Sequence, residues 1–328
     1  MTTDAVEDST LQDKALRPLT LNTFAGQPVI VEQLEIFIPA AKGRGETLDH
    51  VLLFGPPGLG KTTLANIIAN EMEGPLTFTS GPLLQDTTVL APLLVNLEPG
   101  AVLFIDEIHR IPIQVEEILY SAMEDGMLDV MVGEVEKKTL RIQLSPFTLV
   151  GATTRAGNLS APLRDRFGMT FRLEYYRLAD LTTVVYNAAE KLGMDLSHGC
   201  AELIAQRSRG TPRIALRLLR RVRDVLETKH LSGQDVDQVV RALKLLGIND
   251  KGLSTQDLHY LRALVDTFSG RPVGLNTLSA ALSEDSGTLE DTVEPYLLQE
   301  GYIQRTTRGR QATPLAASMM VQLPGAAG

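Results

Sequence analysis

The segment Gly55-Pro-Pro-Gly-Leu-Gly-Lys-Thr62 fits the spacing G-x-x-x-x-G-K-[ST] of a phosphate-binding loop. Its glycines let backbone N–H groups turn inward around a phosphate, and a helix starting there adds favourable dipole potential. In this pattern Lys61 neutralises the β- and γ-phosphates of ATP, and the Thr62 hydroxyl ligates Mg²⁺. The run Ala-Val-Leu-Phe-Ile-Asp106-Glu107 supplies a carboxylate pair. Asp106 suits holding Mg²⁺ through water, and Glu107 suits orienting and polarising the attacking water. A third run ends in Gly151-Ala-Thr-Thr-Arg155, where Thr153 or Thr154 can hydrogen-bond that water or the γ-phosphate. Threonine is also ordinary strand chemistry, so this reading needs the third run beside the other two. Arg166, in Pro-Leu-Arg-Asp-Arg-Phe-Gly168, and Arg213, in Gly-Thr-Pro-Arg213, are candidates for stabilising charge on a transferring phosphoryl group.

These residues need a scaffold that brings three apolar runs together. Val51–Phe54, 102–105 and 147–152 are short and rich in β-branched or large apolar residues, and each is followed by glycine or acidic residues. Such runs suit a parallel sheet covered on both faces. Between the first two, residues 62–72 place Leu64, Ile67, Ile68 and Met72 at helical spacing. Over 127–144 the period falls to two, with Leu128, Val130 and Val132 alternating and then Leu140, Ile142 and Leu144. That pattern predicts a β-hairpin around the polar segment 133–139. Residues 178–246 are helical in pattern throughout, and Ser232 is a candidate N-cap for a helix over 234–245. A linker at 247–252 leads to three helical stretches and two short strands around a turn at 306–310, a winged-helix pattern, and the tail LPGAAG reads as frayed.

The bulk numbers agree with a folded protein of more than one domain. The chain has 328 residues, 44% hydrophobic and 22% charged. Its first residues, MTTDAVEDST, lack the basic and apolar regions of a signal peptide, and no run nears the ~18 apolar residues of a membrane span. The one cysteine, Cys200, excludes an internal disulfide or a Cys-rich zinc module and reads as a small core residue. These features predict the cytoplasm. A net charge of −9 argues against whole-surface affinity for nucleic acid but leaves room for local basic patches.

In order and spacing, GPPGLGKTTLA, LFIDEIHR, GATTRAG, PLRDRFG, RGTPRIA and RTTRGR resemble the RuvB family of bacterial Holliday-junction branch-migration AAA+ ATPases. Ser80–Pro82 (SGP) and Glu294–Leu297 (EPYL) add to the likeness, which runs from about residue 15 to about residue 313. The resemblance implies a homohexameric ring that pumps duplex DNA during homologous recombination and repair, using ATP and Mg²⁺. It implies an α/β AAA+ P-loop domain with a parallel sheet (1–176), a small helical lid (177–247) and a winged-helix head (248–328). It carries nucleotide contacts to Leu16, Arg17, Gly58, Lys61, Thr62, Thr63, Glu124, Asp125, Gly126 and Tyr176. It makes Arg166 an arginine finger reaching a neighbour's ATP, and Arg213 the lid's sensor arginine. It matches Leu140 and Ile142 to a hairpin that docks the junction-recognising partner RuvA, and it adds the resolvase RuvC as a further partner. Two departures stand out. Gly126 replaces a bulky residue, which implies a looser backbone, and the hairpin tip carries the unusual sequence EVEKK.

Arg305, Arg308 and Arg310 cluster on the expected wing and are candidates for sequence-independent phosphate contacts. The seven arginines of 207–223 read instead as a solvated or intersubunit face. A clamp-loader-like assembly switch is the competing function, and the basic wing favours the DNA motor. A protein-remodelling ATPase would need an aromatic pore loop after Ser80, which the sequence lacks.

Overall fold

The computed structural model describes residues 15–132 and 138–322, without the side chains of 130–139 and 322. The chain divides into two compact units. Among the described residues, one comprises those up to 193 with 210–216, and the other 194–209 with those from 217 on.

The first unit is built on a five-stranded sheet: β1 (Val51–Phe54), β2 (Leu76–Ser80), β3 (Ala101–Asp106), β6 (Phe147–Thr153) and β7 (Met169–Arg172). The order is β2-β3-β6-β1-β7, and every neighbouring pair is parallel. β6 therefore lies between β1 and β3, as the site reading of its threonines required. All seven residues of β6 are buried. Such strands need cover on both faces, which is why they read as continuous apolar runs rather than alternating ones. Leu52, Leu103, Ile105 and Leu149 pack with helix residues Leu90, Val115, Leu119 and Leu163 in one core. Each fully buried aliphatic side chain contributes about 1.5–3 kcal/mol.

Helices precede, connect and follow the strands: α1 (Pro28–Arg44), α2 (Lys61–Glu71), α3 (Thr87–Val95), α4 (Ile113–Glu124), α5 (Ala161–Asp165) and α6 (Leu178–Lys191). The antiparallel hairpin β4 (Met127–Val132) and β5 (Lys138–Gln143) follows α4, in the register Leu128↔Ile142 and Asp129↔Arg141. The EVEKK tip lies outside the described residues, apart from the backbone of Lys138. At the hairpin's base Gly126 is not loose. Its carbonyl accepts the Leu144 N–H at 2.8 Å and the Gln143 Nε2–H at 3.1 Å.

The second unit holds α7 (His198–Gln206), most of α8 (Pro212–Lys229), α9 (Val236–Leu245) and the winged helix. Cys200 is buried among these helices, as expected. The N-cap of α9 is Asp235, not Ser232, because its carboxylate reaches the N–H groups of Asp237 and Gln238. The segment 247–252 is a folded turn: Asn249 Oδ1 accepts the N–H groups of Lys251 and Leu253. The winged helix contains α10 (Thr255–Arg262), α11 (Leu275–Leu282), α12 (Glu294–Gln299), the hairpin β8 (Ile303–Thr306) and β9 (Gly309–Ala312), and α13 (Pro314–Gln322). Thr306 pairs with Gly309, so the wing turns through two residues rather than the five of 306–310. The sequence pattern did not reveal α13. Its start signal is Thr313, whose Oγ1 accepts the Ala316 N–H, followed by proline at the first helical position.

Candidate active site

The three strand ends at the site come from adjacent strands. Phe54, the last residue of β1, is in register with Thr153 on β6. The phosphate loop follows β1 and ends at Gly60, the N-cap of α2. Lys61 is buried, and its Nζ donates to the carbonyls of Gly55 at 2.8 Å and Pro56 at 2.9 Å. Its pKa is lowered, chiefly by burial, while Asp106 and Glu107 oppose the shift. A buried cation resting on neutral carbonyls, at a helix N-terminus, fits a phosphate. Gly58 has φ +80°, and a Cβ there would come within 2.9 Å of the Arg213 Cβ. The Arg213 N–H donates to the Gly58 carbonyl at 3.3 Å, which brings the backbone of Arg213 onto the loop.

Asp106 ends β3 and accepts the Glu107 N–H at 2.9 Å. Glu107 has a left-handed backbone, φ +52°, and its side chain is 39% exposed. Thr153 is fully buried and Thr154 half-buried. Two residues near them were not singled out from the sequence. Gly81, in the SGP segment, lies so close to Glu107 that a Cβ would sit 2.3 Å from its carbonyl oxygen. Only glycine allows that approach, which gives SGP a physical reason. His109, three residues past Asp106, bonds Thr153 Oγ1 through Nδ1 at 2.9 Å. A small residue after a strand and a histidine beside the acidic pair were the available signals, and neither is decisive without the fold.

A cavity of about 490 Å³ adjoins the loop. Leu16, Arg17, Gly60, Thr63 and Tyr176 all line it. Tyr176 is buried, which pushes its phenol well above the ordinary range, and its OH donates to the Leu59 carbonyl at 3.2 Å. Arg166, Glu124, Asp125 and Gly126 instead line a separate cavity of about 560 Å³. There Arg166 lies 4.9 Å from the centre of the Tyr120 ring and pairs with Glu124 at 2.6 Å. Of the expected nucleotide residues, Leu16, Arg17, Thr63 and Tyr176 thus line one cavity and Glu124, Asp125, Gly126 and Arg166 the other.

Family models match nearly the whole chain: the Holliday junction DNA helicase RuvB P-loop domain at residues 16–173, the RuvB AAA lid domain at 176–249 and the RuvB C-terminal winged helix domain at 250–321. The chain belongs to the RuvB family. The Thermotoga maritima RuvB Holliday junction branch migration motor is 46% identical, with a TM-score of 0.84, over 94% of this chain and 100% of that one. Point variants of that protein match at 45–46% identity and TM-scores of 0.83–0.84. The Aeropyrum pernix ORC2 protein shares the fold at 16% identity, with a TM-score of 0.53 over 88% of this chain and 91% of that one. RuvB membership makes this an ATP-driven Holliday-junction helicase of the AAA+ class and sets aside the clamp-loader-like switch. No helix among the described residues is long and apolar enough to cross a membrane.

On the RuvB wing the three arginines separate. Arg308, in the turn, is exposed. Arg310 is only 16% exposed and gives Nε to Glu294 at 2.8 Å and Nη2 to Glu290 at 3.1 Å. Arg305 is 46% exposed and holds Glu294 at 2.7 Å and Glu290 at 3.2 Å. Arg310 is therefore held within the wing by two carboxylates, whereas Arg308 is open to solvent. A buried carboxylate needs such partners, and Glu294 takes them. On the β4–β5 hairpin Leu140 is 49% exposed, whereas Ile142 packs against the core. The strip expected to project as one is split between base and outer arm.

Proposed function

We propose that this RuvB chain is one subunit of a homohexameric cytoplasmic ring that pumps the duplex arms of a Holliday junction during recombination and repair. The observation that carries this reading is the split of the nucleotide residues. Leu16, Arg17, Thr63 and Tyr176 line the first cavity, beside the loop that carries Lys61, while Arg166 and Glu124 line the second. One subunit then supplies each half to a different shared site. In the first half Lys61, with Gly58, Thr63 and the loop N–H groups, binds phosphates. Leu16, Arg17 and Tyr176 hold the base side. When bound, ATP supplies the γ-phosphoryl group and Mg²⁺ the counter-charge for its oxygens, with Thr62 and Asp106 as the metal's residues. Glu107 orients and polarises the attacking water, and Thr154 with the lid's Arg213 senses the γ-phosphate position. In the second half Arg166 reaches the neighbour's nucleotide, flanked by Glu124, Asp125 and Gly126. A rigid guanidinium suits that task, because it stabilises charge that develops only during transfer.

Domain boundaries at 176 and 247 accompany the same reading. Arg308 and the outer edge of Arg305 contact DNA phosphates, Leu140 docks RuvA, and RuvC joins the assembly on the junction. The test is ATP-dependent dissociation of a synthetic four-way junction, with and without RuvA. ATP-driven dissociation that RuvA stimulates supports the motor. ATP hydrolysis without any dissociation overturns it. For the ring, Lys61→Ala and Arg166→Ala subunits are mixed. Hydrolysis that recovers in the mixture supports an arginine acting on its neighbour, and mixed rings without recovery overturn that role.

A further inference from the structure

His109 sits in the short turn Ile108–Arg110, and its side chain is 8% exposed. The ring bridges two groups already placed at the site. Nδ1 is 2.9 Å from Thr153 Oγ1, and Nε2 is 3.7 Å from Glu107 Oε2. Proton positions follow from counting donors and acceptors. Thr153 Oγ1 accepts the Arg155 N–H at 2.9 Å. Its own hydroxyl proton then needs an acceptor, because Thr153 is fully buried and an unmade buried hydrogen bond is costly. Nδ1 is that acceptor, which leaves the ring proton on Nε2, facing Glu107. The other tautomer would strand the hydroxyl and aim a nitrogen lone pair at a carboxylate. Burial lowers the pKa of His109, with Glu107 opposing, so the neutral ring this pattern needs is the favoured one.

We propose that His109 is a positioning residue for hydrolysis, through which the end of β6 at Thr153 sets the orientation of the Glu107 carboxylate. The inference rests on Glu107 being the group that activates water. Glu107 needs such a guide, since its side chain is partly exposed and its backbone sits in a sparsely populated region. Thr153 is a suitable anchor, because it is level with Phe54, the residue just before the phosphate loop. A carboxylate that is present but misaligned loses rate and keeps binding.

The experiment measures steady-state ATP hydrolysis, nucleotide affinity and melting temperature for His109→Ala, His109→Asn and His109→Gln in the full chain. His109→Ala is expected to lower kcat about 10- to 100-fold, with KM and nucleotide affinity changed by no more than about twofold. Asparagine can keep the Thr153 bond but falls short of Glu107, so it should resemble alanine. Glutamine can reach Glu107 and should restore part of kcat. Thr153→Val added to His109→Ala should cost nothing further, because the two residues act as one chain. Glu107→Gln is the control. If it retains wild-type turnover, the reading of Glu107 fails, and this inference with it. If Glu107→Gln is inactive while His109→Ala keeps wild-type kcat, only the role of His109 is overturned. A fall in kcat accompanied by equal losses in affinity and melting temperature, with no rescue by glutamine, also overturns it.

Discussion

Lys61 and Glu294 are both buried charges, one in each compact unit, and their partners differ in kind. Around Lys61 the hydrogen bonds go to two neutral backbone carbonyls, with Asp106 and Glu107 acting only through space. Around Glu294 every contact is a strong donor. Tyr260 and Arg310 reach Oε1 at 3.0 and 2.8 Å, and Arg305 reaches Oε2 through Nη2 at 2.7 Å. The first charge is left for a ligand to neutralise, and the second is neutralised within the chain. Residue type alone does not separate these cases, and partner chemistry does. It also explains why lysine suits the loop, as a point charge that can change partners, and arginine the wing, as a fork that holds a carboxylate in fixed geometry.

The largest effect expected from this contrast is at Lys61. Lys61→Met should lower ATP turnover by about a hundredfold or more, because it removes charge stabilisation at the transferring group. The nucleotide-free protein should be as stable as wild type or more so, since replacing a poorly compensated buried charge by a hydrocarbon chain relieves desolvation. Isotherms for ATP and a thermal melt without nucleotide check both halves. A melting temperature that falls steeply would make Lys61 a structural cation like the wing arginines and break the comparison.

Glu294→Ala should act in the opposite sense. It leaves the part-buried Arg310 with Glu290 alone, and the loss should stay below the cost of breaking a wholly buried pair, about 3–5 kcal/mol. Hydrogen exchange should rise across 250–321 while the phosphate-loop unit stays protected. The pH dependence has a definite sign. Burial alone would raise the Glu294 pKa, but Arg310, Arg305 and Tyr260 together outweigh it and hold the carboxyl below its ordinary value of 4.5. A carboxyl depressed in the folded state gives stability above its unfolded pKa and loses it as pH falls through the folded one. The gap between wild type and Glu294→Ala should therefore be full at neutral pH and narrow as pH falls below the ordinary carboxylate range.

Much of the first unit was legible because its signals are local. Apolar runs that end in glycine, acid or threonine mark β1, β3 and β6, and the phosphate loop identifies the turn and helix after β1. The residues that join these ends were less legible. Gly81 matters through contact with Glu107, and His109 through Thr153, 44 positions away. In the wing, Arg310 and Glu294 are 16 residues apart, so charge clustering along the chain could not reveal the pair. Periodicity failed in a different way on the hairpin. A period of two tells which face Leu140 and Ile142 share, but not how far along the strand the core extends.

That hairpin repeats the contrast between satisfied and unsatisfied groups for apolar side chains. Ile142 is packed on the core and Leu140 is half-exposed. Leu140→Ser should leave the melting temperature unchanged and weaken RuvA binding by about tenfold, the loss of one buried aliphatic contact. Ile142→Ser should lower stability in the isolated chain, because it places a hydroxyl against a hydrocarbon core. Calorimetric binding and melting of both variants sharpen the comparison. Equal loss of partner affinity with no loss of stability in either variant would return the two residues to a single projecting strip.

The smallest expected effect separates Arg308 from Arg310, whose sequence context is nearly the same. Arg308 is exposed at the turn, where its backbone N–H bonds Thr306 Oγ1 at 3.2 Å and its side chain faces solvent. Arg310 is 16% exposed, and its guanidinium is occupied by Glu290 and Glu294. A phosphate contact releases counterions, so losing one reduces the salt slope of DNA binding by about one unit. Arg308→Ala should show that reduction equally on unrelated sequences, with no change in melting temperature. Arg310→Ala should leave a buried carboxylate short of a partner and lower stability. Any weakening of DNA binding in that variant would then follow the fraction unfolded and disappear at low temperature. Salt titrations at two temperatures distinguish the variants. If Arg310→Ala lowers the slope by a full unit while remaining folded, its guanidinium exchanges Glu294 for a phosphate. The wing's internal neutralisation would then be a resting arrangement that DNA displaces, and the contrast with Lys61 would narrow to one of timing.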